Sequence, residues 1–434
     1  MKRVHLIVHT THYRKGSEQF AVIAQTMFNE LSQEHPDDEV ILKAILGKKE
    51  LVAIFNELSS QNKRISSYHF IGHAGMYGPM FGTVEYPEQF SPYELEKLDI
   101  PFDEDGEAYF HCCRSARWFA PFFANLHKVT TYGYHNYTAF TKSKKKYQRI
   151  GKNQPPMYAI GCAGKKSHGW IGSIKKNIFG IGLEPMSKFE FSDQEQDRTY
   201  NKVAHLYDAV FQDIKVREDE WNWISSHLPD KSGLEVLDIG CGNGALLKEL
   251  APKIKSGIGL DLSVDLLELA ENNNSDHDYI SFKQVKGPNL PLPDSSVDLI
   301  ISMLSFRYLD WDPLMDEIKR VLRPGGRILI VDMVAVPATP MQYPRLLLDK
   351  LKQKRQLKKY PEFAKALAEL VAHPDWKKML KYNPIRAEHE MKWYLESRFP
   401  GRKMEKINIG FNSSIIAFDS GNIEHIQDIH LTYP

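Results

Sequence analysis

The stretch LEVLDIGCGNGALLKEL, Leu234 to Leu250, decides how the second half of this chain folds. A short apolar run, Val236 to Ile239, enters a turn holding Gly240, Gly242 and Gly244. The turn opens onto a helical pattern that carries Leu246, Leu247 and Leu250. Glycine suits such a turn because it tolerates unusual dihedrals and lets the backbone come close to a ligand. The free amides at the helix start then face an anionic or carboxylate-bearing group. A second strand, Ser256 to Leu260, ends in Asp261, and 261 − 238 = 23 residues separate it from Asp238. An acidic residue at about that distance is placed to accept hydrogen bonds from ribose hydroxyls.

The same alternation of strand and helix extends in both directions. Toward the N-terminus, strands are predicted at Val4 to Val8, Glu39 to Ile45, Tyr68 to Ile71, Glu107 to His111 and Val129 to Tyr132. Between them lie helical patterns through Phe20, Ala24, Met27 and Leu31, through Lys49 to Leu58, and through Trp118, Phe119, Phe122 and Phe123. Strands alternating with helices predict an α/β fold with a parallel sheet covered on both faces. The polar stretch 191–198 reads as a linker, so the expected domains are 1–190 and 199–434, the second with a helical insert at 337–399.

Composition excludes several classes. The 434 residues carry 56 Lys+Arg against 55 Asp+Glu, a formal charge of +1, which gives no reason to expect bulk nucleic-acid binding. With 42% hydrophobic and 26% charged residues the chain is not of disordered composition. Four cysteines in this length exclude a disulfide scaffold and favour a reducing compartment. No apolar stretch approaches bilayer length, so a cytoplasmic protein with no membrane partner is expected. The histidines His5, His9 and His12 lack the paired spacing of a structural zinc site, and no metal is expected.

Four segments, in order, give the second half a resemblance: VLDIGCGNG, GLDLS with Asp261, LPLPDSSVDLIIS, and EIKRVLRPGGRILIVD. Over residues 199–434 the chain resembles a class I S-adenosylmethionine-dependent methyltransferase, with a Rossmann-like fold and S-adenosyl-L-methionine as cofactor. The resemblance implies that Gly240, Gly242 and the Asp238 region hold the methionine part, and that Asp261 holds the ribose, with Leu262 beside it. It also implies that Ser302 and Met303 lie near the sulfonium end. Tyr200 and Tyr207, in YNKVAHLYD, match aromatics that close over the cofactor; packing of an amphipathic helix explains them equally well. One position departs from the family. Four residues before the LP of LPLPD the family carries an acid that accepts from the adenine amino group, and this chain has Lys286, which has only donors. Either Gln284 or a backbone carbonyl takes that role, or the cofactor binds weakly. Methyl transfer is an in-line displacement in which alignment and exclusion of water supply much of the rate, so these motifs name no catalyst.

The first half carries a second constellation. His73 follows the strand in YHFIGHAGMYG, and Cys113 follows the next strand in AYFHCCRSA. Ends of neighbouring parallel strands lie at the edge where open α/β sheets place their sites. An imidazole beside a thiol at a helix start would make a nucleophile. On HFIGHAG and CCRSA, residues 1–180 resemble the caspase-like cysteine peptidases, especially the CHAT-type branch. That resemblance implies His73 and Cys113 as catalytic residues; an inactive scaffold fits the same residues. The leading expectation is methyl transfer to a small molecule or a peptide. The alternatives are a cysteine endopeptidase regulated by a ligand-binding methyltransferase-like domain, and a catalytically inactive binding scaffold. The oligomeric state is left open.

Overall fold

A computed structural model describes residues 2–144, 152–162, 182–192 and 197–425. Positions 193–196 of the expected linker lie outside the described residues. The chain divides into two compact units, Met1–Glu195 and Gln196–Pro434.

In the first unit six strands form one sheet: β1 (Lys2–Thr10), β2 (Glu39–Ile45), β3 (Lys63–Ile71), β4 (Phe102–His111), β5 (Thr130–Gly133) and β6 (Ser187–Phe189). Their spatial order is β2-β1-β3-β4-β5-β6. The first five run parallel and β6 is antiparallel to β5. Strands β3 and β4 begin five residues earlier than their apolar runs predict, because the ladder continues through polar residues such as the Ser67–Glu107 pair. Alternation sorts the two faces. Val4, Leu6, Val8, Tyr68, Phe70, Ala108, Phe110 and Cys112 are packed in one cluster with α2 (Lys48–Ser60) and α3 (Phe119–His127). On the opposite face, Ile7 and Ile71 meet α1 (Ser17–Glu34) through Phe20, Ile23 and Ala24.

One expectation is corrected here. Cys113 does not start a helix: α3 begins only at Phe119, and the chain between them turns through Arg114, whose φ is +59°. A helix dipole acts within its first turn, so α3 gives the Cys113 thiol no such help.

In the second unit seven strands form a sheet: β7 (Leu234–Ile239), β8 (Ile254–Asp261), β9 (Ile280–Gln284), β10 (Val297–Met303), β11 (Leu322–Ala335), β12 (Glu405–Ile409) and β13 (Ser413–Asp419). The order is β9-β8-β7-β10-β11-β13-β12, parallel except for β13, which is antiparallel to both neighbours. Val236, Leu299, Ile301 and Leu329 meet the helices Glu218–His227 and Ala245–Leu250 on one face. Leu237, Ile300, Ile328 and Ile330 meet Trp311–Val321 and Glu388–Arg398 on the other. The chain goes from β7 to β8 on one side and later returns to β10 on the other. This reversal opens a crevice beyond the carboxyl ends of β7, β8 and β10. The insert between β11 and β12 is helical, with Tyr343–Lys359, Pro361–Ala372 and Pro374–Tyr382. Its expected last part, Glu388–Arg398, instead belongs to the main layer, because Met391, Tyr394 and Leu395 are buried in that core.

Phe110 shows how the first unit is held. It is 1% exposed and packs edge-on to Phe119 at 4.7 Å and Phe123 at 5.0 Å between ring centroids. Phe110→Ala is expected to cost about 3–5 kcal/mol of unfolding free energy. Urea denaturation followed by circular dichroism checks this through a lowered transition midpoint.

Candidate functional site

The turn after β7 is built from three left-handed residues: Gly240, Gly242 and Gly244 have φ of +78°, +55° and +75°. Space as well as dihedral demands glycine at the first. A Cβ on Gly240 would lie 2.3 Å from Cβ of Ser305. The amides of Gly240 and Cys241 both donate to the Leu260 carbonyl, at 2.7 and 3.0 Å, which ties the turn to the end of β8. Asp261 completes the tie. Its Oδ2 accepts from the Gly242 amide at 3.0 Å and its Oδ1 from the Ser263 amide at 2.9 Å. A carboxylate offers about four lone-pair positions, so two remain for further donors. Burial pushes the Asp261 carboxyl up, and the amides of Ser263 and Gly242 oppose this.

Asp238, at the carboxyl end of β7, is 2% exposed, and its Oδ1 has no hydrogen-bond partner. Burial first, and the nearby Asp261 second, push its carboxyl up to about 8. A buried carboxyl without a donor is costly. A cationic or N–H-bearing ligand group in the crevice relieves that cost. The residues present therefore fit a cofactor with an ammonium group and ribose hydroxyls.

Tyr207 lies directly over the turn, because a Cβ on Gly242 would come within 3.3 Å of its Cε1. Tyr200 stands edge-on to Tyr207 at 5.6 Å and to Trp376 at 5.7 Å. Tyr207 in turn packs on Phe211 at 4.8 Å. These rings share one cluster with Phe363, Leu367 and Leu370 of the insert. The packing of the leading helix against the insert thus places these rings over the turn.

Leu262, next to Asp261, leaves 39% of its surface bare. Gln284 donates from Nε2 to the Leu262 carbonyl at 3.0 Å, and its Oε1 is left to accept. Lys286 is exposed and makes no hydrogen bond or ion pair among the described residues. Ser302 is 2% exposed, and its hydroxyl is used internally. It donates to the Ser305 hydroxyl at 2.7 Å and lies 3.2 Å from the Ile239 carbonyl. Ser302 therefore braces the turn through Ser305, which itself donates to Ile239 at 2.6 Å. Met303 packs against the core beneath β10.

Three features here escape a reading of the sequence. Leu304, after β10, has φ of +60°, a strained conformation for a side chain of that size. Ser305 fills the space beside Gly240. Arg307 is buried and ion-paired to the fully buried Asp332, whose Oδ2 also accepts from the Arg307 amide at 2.6 Å. Burial opposes the charge of Arg307, but Asp332 outweighs it and holds the guanidinium protonated. Its Nε remains without a partner. An arginine in SFRYLD is visible in sequence; its pairing with an aspartate 25 residues later is not.

In the first unit, His73 and Cys113 do lie just past the carboxyl ends of the neighbouring strands β3 and β4. No hydrogen bond between them is found among the described residues. Cys113 Sγ meets Thr138 Oγ1 at 3.3 Å and accepts from the Thr138 amide at 3.3 Å, its partner among the described residues. His73 Nε2 points to the Lys15 carbonyl at 2.9 Å, with its ring edge-on to Phe20 and Tyr13. Cys112 is fully buried in the apolar face.

With this geometry in place, comparison with known proteins is informative for the second unit. A family model described as a methyltransferase domain matches residues 237–330. The ubiquinone/menaquinone biosynthesis C-methyltransferase UbiE of Hahella chejuensis is 35% identical over 174 residues, which cover 38% of this chain and 68% of that one. The demethylmenaquinone methyltransferase of Tropheryma whipplei is 30% identical over 138 residues, 31% of this chain and 57% of that relative, so this chain spans little more than half of its length. Among solved structures, a putative S-adenosylmethionine-dependent methyltransferase from Listeria monocytogenes is similar at 22% identity, covering 27% of this chain and 56% of that one with a TM-score of 0.26. None of these matches speaks for a peptidase in the first unit. Glycine turn, the aspartate that ties it to the next strand, and relatives agree: through its second unit the chain belongs to the class I methyltransferases, whose cofactor is S-adenosyl-L-methionine.

Proposed function

We propose that this protein transfers a methyl group from S-adenosyl-L-methionine to a small molecule with an apolar or aromatic body. The observation that carries this is the pair of carboxylates at the switch point, with Asp261 holding the Gly242 and Ser263 amides and Asp238 buried without a donor. When bound, the cofactor supplies an electrophilic methyl on a sulfonium. The protein's part is to bind, align and exclude water. In this reading Asp261 accepts the ribose hydroxyls, Asp238 faces the ammonium of the methionine part, and bare Leu262 lies against the adenine. Gln284 Oε1 takes the place of the missing acid at Lys286. Tyr200 and Tyr207 close the crevice from above, with the insert helices as the outer wall. The roof of Phe211, Phe363 and Trp376 favours an apolar acceptor over a peptide. The relatives act, by their names, on quinone precursors, which are compounds of that kind.

The hydrolase alternative needs a thiol and an imidazole in contact. The partners of Cys113 and His73 are Thr138 and the Lys15 carbonyl, which favours a first unit without peptidase chemistry.

Three measurements test this. Asp261→Ala removes a charged acceptor whose hydrogen bonds are worth about 1.5–3 kcal/mol each. S-adenosylhomocysteine should bind at least about tenfold more weakly in calorimetry, and unchanged affinity places the ribose elsewhere. The second measurement uses pH. The carboxyl of Asp238 is neutral below about 8 and must ionise to meet an ammonium, so binding releases a proton. Cofactor affinity should therefore fall as pH drops below 8, by up to about tenfold per unit, and Asp238→Asn should flatten the profile. Equal slopes in the two proteins defeat that role. Finally, iodoacetamide alkylation of Cys113, followed by peptide mapping, should proceed at the same rate in His73→Ala. A marked slowing restores the dyad.

A further inference from the structure

The polar face of the first unit's sheet holds a row of buried and half-buried histidines that methyl transfer does not use. His5 on β1, Ser67 and His69 on β3, and His111 on β4 all project under α1. They form one hydrogen-bonded chain. His5 Nδ1 meets Ser67 Oγ at 2.7 Å, Ser67 Oγ meets His69 Nε2 at 3.0 Å, and His69 Nδ1 meets His111 Nε2 at 3.3 Å. The chain borders a cavity of about 710 Å³ lined by His5, His35, His69, Tyr109 and His111, within the size range of small-ligand sites.

At one end the chain leaves a single ring atom facing outward, Nε2 of His5. It lies 3.1 Å from Asp38 Oδ2, and His35 Nδ1 lies 4.0 Å from the same oxygen. The three ligand atoms fall within 4.8 Å of one another. Local structure brings them together. His35 is the C-cap of α1, Pro36 turns the chain, and the Asp38 amide returns to the His35 carbonyl at 3.2 Å. This places His35 on the ring of His5, 4.3 Å between centroids.

We propose that His5 Nε2, His35 Nδ1 and Asp38 Oδ2 form a binding site for a divalent transition metal of the zinc class. Bonds of about 2.0–2.2 Å at tetrahedral angles place ligand atoms roughly 3.3–3.6 Å apart. The two spacings to Asp38 Oδ2, 3.1 and 4.0 Å, bracket that value, and binding requires the half-exposed His35 ring to turn out of its stack on His5 so that Nδ1 faces the ion. The donor set is nitrogen and carboxylate oxygen, which suits zinc, and three protein ligands leave a fourth position for water or a small molecule. The support of His5 is what metal sites use. A ligating histidine has its other ring nitrogen held by a hydrogen bond, which fixes tautomer and orientation, and Ser67 does this at 2.7 Å. The His69–His111 pair behind it, with His69 buried, fixes the serine in turn. Without metal, Nε2–H of His5 donates to Asp38; the cation displaces that proton to solvent. A proton taken up at the far end of the chain then keeps His5 neutral through its Nδ1–H.

The test uses the full-length protein, stripped with a chelator and titrated with zinc chloride by calorimetry. Cobalt(II) absorption in the visible reports the coordination geometry. His35→Ala and Asp38→Asn both alter a surface turn, so both variants should fold, as circular dichroism will verify. The expected result is one saturable equivalent for the unaltered protein, at least about tenfold weaker binding in each variant, and no change in Cys113→Ala. Failure of the unaltered protein to take up one equivalent overturns the site. So does binding by either variant with the affinity of the unaltered protein.

Discussion

The second unit depends on one carboxylate. Asp261 sits at the end of β8, but each of its oxygens holds an amide outside its own strand, Gly242 in the turn after β7 and Ser263 at the start of the next helix. That grip, with the Leu260 carbonyl accepting from Gly240 and Cys241, fixes three left-handed glycines in one arrangement. Its three glycines have no side chains to pack, so the turn takes its shape from neighbours and from the buried Asn243, whose Nδ2 donates to Asp208 at 2.8 Å and to the Phe211 carbonyl at 3.2 Å. Ser305 supplies the rest by filling the space beside Gly240 and bonding to Ile239. The turn, the end of β8 and the segment after β10 therefore form one unit that holds the shape of the crevice.

Much of this was legible in the sequence because it rests on local rules. The apolar run into Gly240, Gly242 and Gly244, and the aspartate 23 residues on, report a strand, a turn and a second strand end with no long-range information. Parallel α/β architecture follows from alternation in both halves. Less legible were features decided by partners distant in the chain. Ser302 reads as a site residue by position, but its hydroxyl is claimed by Ile239 and Ser305. The left-handed Leu304 carries no compositional mark at all. Strands β3 and β4 extend past their apolar runs because their neighbours, not their own residues, complete the ladder. Glu388–Arg398 looks like more of the helical insert until Met391 and Leu395 are found in the core.

The first unit illustrates why a strand-end argument gives a location and not a mechanism. Parallel pairing carries His73 and Cys113 to the same sheet edge, as the topology requires. Whether they touch depends on what each side chain meets on the way. Thr138 and the Lys15 carbonyl meet them first. The helix expected to activate the thiol starts six residues later than Cys113, beyond the reach of its dipole. The histidines His5 and His35 show the opposite case. Thirty residues separate them, no spacing rule pairs them, and yet a helix end and a proline turn stack one on the other.

Charge balance in the methyltransferase unit gives a reason for the cost of Asp238. Asp238 and Asp261 are both buried at the switch point, and each resists ionisation for lack of solvent. Two like carboxylates so placed raise one another's cost, which Asp238 records in the contribution of Asp261 to its shift. A nearby buried cation would relieve them, but Arg307 is committed to Asp332 by a side-chain ion pair and a backbone bond. Arg307 and Asp332 cancel, and the acidic pair is left uncompensated. S-adenosyl-L-methionine carries a sulfonium and an ammonium against one carboxylate, a net positive charge, and so supplies the charge that the fold withholds. In the proposed reaction, methyl transfer would leave S-adenosylhomocysteine, which lacks the sulfonium. The spent cofactor would then meet the acidic crevice with one positive charge fewer, so the balance that would favour binding of the donor would also favour release of its product.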